Sequence, residues 1–265
     1  MPSWIASALA AWLGAVLGSF ANVLIHRLPE DESILWPPSR CPRCRASISW
    51  RDNIPLLSWL LLRGRCRRCR GAISPLYPAV ELVVALLGWG LWRRWQAHPY
   101  WAGASLLAAC DLVAVAAIDW KHFIIPDELS LGLLVLGLCV APLNPIFAQP
   151  SWWKPFLFSV RGAAIGFALC YGAAAVGSAL FGKEAMGGGD VKLLAAIGAW
   201  SGGLGAFDCL LVGSLLGSIY GLSLLAAGRL RRSDPIPFGP FLVAAALLNL
   251  FLILPLGFPL VPIAS

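Results

Sequence analysis

The stretch from Trp4 to Ile25, "WIASALAAWLGAVLGSFANVLI", carries no charge over a length that crosses a bilayer core as a helix. Further long runs, uncharged or nearly so, recur along the chain. They give eight expected crossings, at 4–25, 79–97, 101–118, 128–145, 156–181, 191–206, 208–228 and 239–259. Strands of a membrane barrel would alternate apolar and polar residues; these runs do not, so helices are expected. Of 265 residues 59% are hydrophobic and 12% charged, too little polar surface for a water-soluble domain. The first run does not read as a cleaved signal peptide, because no basic residue precedes it and Arg27 follows it. The expected fold is an all-α polytopic membrane protein of about eight transmembrane helices. It divides into a first helix (1–26), a polar loop (27–78) and a helical bundle (79–260). Tryptophans near run ends, among them Trp4, Trp92, Trp95, Trp101, Trp120, Trp152 and Trp153, fit interfacial belts.

The basic residues set an expected orientation. Segment 27–77 holds ten arginines against the four acids Glu30, Asp31, Glu32 and Asp52. Lys121, Lys183, Lys192, Arg229, Arg231 and Arg232 fall on the same side of an eight-helix arrangement, making sixteen of the twenty basic residues. The other side keeps Arg93, Arg94, Lys154 and Arg161. The positive-inside rule makes the larger set cytoplasmic and both termini periplasmic. The net charge of +7 therefore reflects topology and anionic lipid, and nucleic acid is not an expected partner.

The loop contains "CPRC" (41–44) and "CRRC" (66–69), with 21 residues between them. Each pair can grip one metal ion, and two pairs close a tetrahedral thiolate site, so Cys41, Cys44, Cys66 and Cys69 are expected to hold a structural zinc ion. Two disulfides are the alternative, disfavoured by a reducing cytoplasm and by arginines that favour thiolates. Too few large apolar residues lie in the loop for a core of its own, and metal would replace that core. Within it "NIPLLSWLLL" (53–62) reads as a segment hugging the membrane, too short to cross. The remaining cysteines, Cys110, Cys139, Cys170 and Cys209, read as small hydrophobes.

Carboxylates in or beside apolar spans are costly and are functional candidates by default. Glu128 and Asp208 fall at expected span ends, where water can reach them, and Glu81 suits the start of its helix. Asp111 lies mid-span. Asp119 closes one apolar run ("LVAVAAID") and Asp190 opens another ("GGGDVKLLAAIGAW"), on different helices at one membrane boundary. Two carboxylates brought together share a proton; one can activate water while the other donates to a carbonyl. Glycines 187 to 189 would let the backbone approach a substrate strand. The plainer reading, a flexible helix breaker with two local caps, stays open on these residues alone. So does an ion-coupled transporter, in which the acids bind cations or relay protons.

Ordered motifs along the chain resemble those of the type IV prepilin peptidases, the bifunctional leader peptidases and N-methyltransferases of pilus and type II secretion systems. They are "GSFANVLIHRLP" (18–29), "CPRC", "DNIPLLSWL" (52–60), "GRCRRC" (64–69), "YPAVEL" (77–82), "AIDWKHFIIPD" (117–127), "MGGGDVKLLAAIGAW" (186–200) and "PIPFGPFL" (235–242). The resemblance implies an inner-membrane aspartic endopeptidase whose catalytic pair is Asp119 and Asp190, supported by Asp127, Gly187, Gly189 and Lys192. It implies prepilins and pseudopilins as partners, cut at the cytoplasmic boundary. It also implies methylation of the new amino terminus from S-adenosylmethionine, although no glycine-rich nucleotide fingerprint follows a strand here. Asp111 lies outside the family pattern.

Overall fold

The structure, a computed structural model, describes residues 3–147, 151–182, 186–231 and 234–252. Lys183, Arg232 and the last part of the expected crossing 239–259 lie outside the described residues. Among the described residues eight α-helices form: α1 (Ser3–Arg27), α2 (Leu57–Leu61), α3 (Leu76–Arg94), α4 (Pro99–His122), α5 (Asp127–Val140), α6 (Lys154–Phe181), α7 (Gly188–Ala226) and α8 (Gly239–Leu252). The only β pairing among the described residues is two isolated bridges in the polar loop. By length and composition five segments among the described residues can cross a bilayer: Ser3–Glu30, Leu76–Arg94, Pro99–His122, Lys154–Leu180 and Gly188–Ala226. The helix α7 accounts for two expected crossings, because Gly202 breaks it with φ 76° and ψ 177°. The shorter α5 and α8 stand at the remaining two. Exposed apolar side chains such as Leu215, Ile219 and Leu222 are what lipid-facing helices require.

The chain forms two compact units, Met1–Ala114 and Val115–Ser265, with the division falling inside α4. In the first, α1 packs on α3 through glycines, since helices in lipid gain most from close backbone approach. A Cβ on Gly14 would strike the Val84 carbonyl, one on Gly18 would sit 2.7 Å from the Glu81 Cα, and one on Gly88 would sit 2.6 Å from the Ala10 carbonyl.

In the second unit α6 meets α7 the same way. Gly162 faces Gly198, and Gly166 faces the Leu194 carbonyl. The break at Gly202 releases carbonyls of the preceding turn from their usual partners, and in lipid these must be satisfied by protein. Ser159 Oγ donates to the Ala199 carbonyl at 2.7 Å, and Asn144 Nδ2 to the Trp200 carbonyl at 2.8 Å. Trp200 Nε1 in turn donates to the Leu133 carbonyl at 2.9 Å, tying α5 to α7. The first half of α7, which begins with the glycine-rich motif, is thereby fixed from both neighbours.

Candidate functional site

Asp119 sits in the last turn of α4 and Asp190 in the first turn of α7, both in the second unit. Their carboxylates come within electrostatic reach of each other. Asp119 is buried, and its Oδ2 accepts the Gly239 N–H at 2.9 Å. That glycine opens α8, and a Cβ on it would stand 2.6 Å from Asp119 Oδ2. Asp190 Oδ1 is buried with no hydrogen-bond partner among the described residues, an acceptor left open beside a second carboxylate.

The chain reaches this site through a tight turn. After α4, Phe123 takes φ 57°, and Pro126 precedes α5. Ile125 in the turn packs against Gly189: a Cβ there would lie 2.9 Å from Ile125 Cβ. It also approaches Gly239, whose added Cβ would meet Ile125 Cδ1 at 3.2 Å. One side chain thus buttresses both helix starts that flank the acids. The glycine at 189 is required by the protein's own packing, beyond the room for substrate expected from the sequence. Gly188 has open space around it, and Gly187 lies near Asp190, its Cβ position 3.6 Å from Oδ2. Lys192 Nζ does not turn to Asp190. It clasps Asp127, at 2.6 and 2.8 Å from the two carboxylate oxygens, and so links the start of α5 to α7. The pair is exposed, so its worth is geometric more than energetic.

In the polar loop, the ligand atoms of Cys41, Cys44, Cys66 and Cys69 all lie within 4.8 Å of one another. Two similar knuckles bring them there. The Cys41 N–H donates to the Ala46 carbonyl and the Arg45 N–H to Cys41; the Cys66 N–H donates to Gly71 and the Arg70 N–H to Cys66. Arg45 and Arg70 both adopt positive φ, and the bridges Arg40–Ser47 and Arg65–Ala72 close the two turns. Backbone N–H groups of Cys69 and Arg68 pull the Cys66 thiol down to about 6. The Gly71 N–H acts the same way on Cys69, but burial and the neighbouring cysteine sulfurs outweigh it and push that thiol up to about 11. Sulfurs crowded this closely compete for protons, and a cation at their centre would remove the conflict. The four cysteines are therefore positioned to hold a metal ion. Arg67 braces the second knuckle against Asp52 through a bidentate pair of 2.7–3.1 Å. In the segment 53–62, Leu57, Leu60 and Leu61 are exposed.

Other acids depart from expectation. Asp208, expected in water at a span end, is fully buried. The helix breaks at Gly202, earlier than the hydropathy boundary near 207, which draws Asp208 into the second half of α7. Glu81 is also buried, and its Oε2 accepts the Leu56 N–H at 2.7 Å, joining the loop to α3 instead of merely facing a helix dipole. Asp111 lies on α4 within the first unit, while Asp119 and Asp190 are counted in the second. The thiol of Cys110 donates to the Leu17 carbonyl at 3.3 Å, while Cys170 and Cys209 are buried, the Cys170 thiol lying 3.1 Å from Met186 Sδ.

These features define an all-helical membrane protein with two carboxylates at helix ends that share the buttress of Ile125, and a four-cysteine loop. The chain matches the Bacterial Peptidase A24 N-terminal domain over residues 12–95 and the Type IV leader peptidase family over 106–222. It is 39% identical to a prepilin leader peptidase/N-methyltransferase of Aeromonas salmonicida, covering 91% of this chain and 89% of that protein. Proteins of the same description from Pseudomonas aeruginosa and Burkholderia pseudomallei are 38% and 34% identical, over 88% and 95% of this chain and 86% and 87% of theirs. No solved structure matches it. The chain belongs to the type IV leader peptidase family.

Proposed function

We propose that this protein is an inner-membrane aspartic endopeptidase that removes the leader of prepilins and pseudopilins and N-methylates the amino terminus so exposed. The observation that carries the peptidase reading is the placement of Asp119 and Asp190 on different helices of one unit, with Ile125 packed against both Gly189, the neighbour of Asp190, and Gly239, whose N–H binds Asp119. Close carboxylates hold one proton between them, because both cannot ionise at short range. The ionised member takes a proton from water, whose oxygen attacks the scissile carbonyl. The protonated member donates to the carbonyl oxygen. Collapse of the tetrahedral intermediate then expels the amine as it is protonated. The Gly239 N–H orients Asp119 for this work, and Ile125 with the Lys192–Asp127 pair fixes the turn between α4 and α5. Family membership gives the transporter alternative no support.

Zinc is the metal we assign to Cys41, Cys44, Cys66 and Cys69, since four thiolates at this separation suit its tetrahedral geometry. When bound it would cross-link the loop, with no coordination position left for substrate. S-adenosylmethionine would supply the methyl group. The excess of basic residues in 27–77 supports a cytoplasmic loop and periplasmic termini. In that orientation Asp119 and Asp190 lie at the cytoplasmic boundary, where a precursor lying in lipid presents the bond just before its apolar helix. A photo-crosslinker placed beside the cut site of such a precursor should label 117–127 and 186–192. Labels confined to 142–156 would contradict the entry route.

A further inference from the structure

The facing surfaces of α1 and α3 carry a polar cluster that peptide cleavage leaves unused. Asn22 is only 4% exposed, and its Nδ2 donates to the Gly18 carbonyl at 3.2 Å and the Tyr77 carbonyl at 3.0 Å. Its Oδ1 is buried with no hydrogen-bond partner among the described residues. Across the helix pair the Glu81 Cα packs against Gly18, one turn from Asn22 along α1, and Glu81 is itself buried. It accepts a single backbone donor among the described residues, the Leu56 N–H, and no Lys or Arg among them forms an ion pair with it. His26 stacks on Tyr77 with ring centroids 4.9 Å apart, and the Leu56 N–H joins Glu81 to the polar loop. The cluster thus adjoins the four-cysteine loop.

A buried carboxylate lacking a cation and a buried amide oxygen lacking a donor are both expensive. Together they offer acceptors and no donors, which suits a cationic group bearing several N–H bonds. Peptide cleavage generates such a group, the new α-ammonium of the substrate. Leu56, whose amide occupies Glu81 in this state, has φ 62° and ψ −51°, a conformation costly for a side chain of its size. Release of that contact would free the carboxylate.

We propose that Glu81 and Asn22 receive the α-ammonium of the processed substrate, and that Glu81 removes its proton before methylation. This rests on the methyl-transfer half of the function above. The neutral amine then attacks the methyl carbon of a sulfonium donor. The N–C bond forms as the C–S bond breaks, sulfur leaves as a neutral thioether, and the positive charge passes to the methylated nitrogen. The proton on Glu81 returns to water.

Glu81→Gln is the informative change, because its amide oxygen still accepts the Leu56 N–H but takes up no proton. In the full-length protein we expect methylation of a precleaved peptide to fall about 100-fold, the scale of general-base catalysis. Metal content and prepilin cleavage should stay as in wild type. With no methyl donor present, wild type should bind a peptide with a free amino terminus at least tenfold more tightly than its N-acetyl counterpart, and Glu81→Gln and Asn22→Leu should each erase that preference. Methylation by Glu81→Gln within threefold of wild type overturns the proposal. So does joint loss of metal and cleavage, which would make Glu81 a latch for the loop, or a weakened grip on the donor with peptide binding unchanged. A wild-type protein that cleaves but never methylates would instead sink the methyl-transfer reading itself.

Discussion

Gly239→Ala tests whether the placement of Asp119 matters for peptide cleavage. The added methyl group would begin 2.6 Å from Asp119 Oδ2, whereas ordinary contact needs 3.4 Å or more. Ile125 Cδ1 stands on the same side at 3.2 Å, so the methyl cannot simply lean away from the carboxylate. Asp119 must then move on the order of 1 Å, a misplacement that costs about 100-fold in rate, or about 2.7 kcal/mol of barrier. The fold should tolerate the change, because the strain falls on one side-chain tip at the start of a helix. Gly132→Ala is the matched control: it lies on α5, with nothing within 4 Å of the added carbon. Cleavage of a prepilin in detergent or vesicles, read by mass over time, should be about 100-fold slower for Gly239→Ala and unchanged for Gly132→Ala. If Gly239→Ala cut at the wild-type rate with an unchanged thermal midpoint, the contact with Asp119 would carry no catalytic weight.

Three further expectations follow from the same geometry. Protein purified under reducing conditions should hold about one zinc ion per chain, as one closed four-thiolate site requires, and Cys41→Ser should lower that content; two loop disulfides without metal would refute it. Gly189→Leu should reduce cleavage by pushing Ile125 off both helix starts, so shortening Ile125 to Ala in the same chain should restore part of the rate; failure of that rescue would point to direct exclusion of substrate. Arg67 holds the Asp52 carboxyl below its ordinary range, so that pair stabilises the loop above about pH 4 and loses its effect as pH falls further. The thermal midpoints of wild type and Asp52→Asn should accordingly differ at neutral pH and converge in acid, and a gap independent of pH would refute the pairing.

Hydropathy alone located the long helices, though not the short α2, because lipid forces every span to be both apolar and internally hydrogen-bonded. The cysteine spacing was legible for a similar reason: the ligands of each knuckle are local, and the chain between them only has to return. What hydropathy could not place was the break within α7. The run 191–228 is apolar on both sides of "SGGLG", so only backbone conformation distinguishes Gly202 from its neighbours. That error of a few residues is why Asp208 looked solvated. Gly239 was visible only as part of the "PIPFGPFL" motif. Its contact with Asp119 joins residues far apart in the chain, and no local pattern encodes such a pairing. The Glu81–Leu56 bond was hidden in the same way, and Glu81 in isolation passed for an ordinary helix-start acid.

The central claim is that Asp119 and Asp190 together cut a pilin-like precursor. Its most direct test is to co-express a candidate prepilin with wild type, Asp119→Asn, Asp190→Asn or Asp111→Asn, and to weigh the substrate. Wild type should yield a product lacking the leader and carrying one added methyl group. Either Asn substitution in the pair should leave the full-length precursor while the enzyme still inserts in the membrane, and Asp111→Asn should retain most of the cleavage. A shortened substrate from Asp119→Asn or Asp190→Asn, or loss of cleavage with Asp111→Asn in a normally inserted protein, would contradict the assignment.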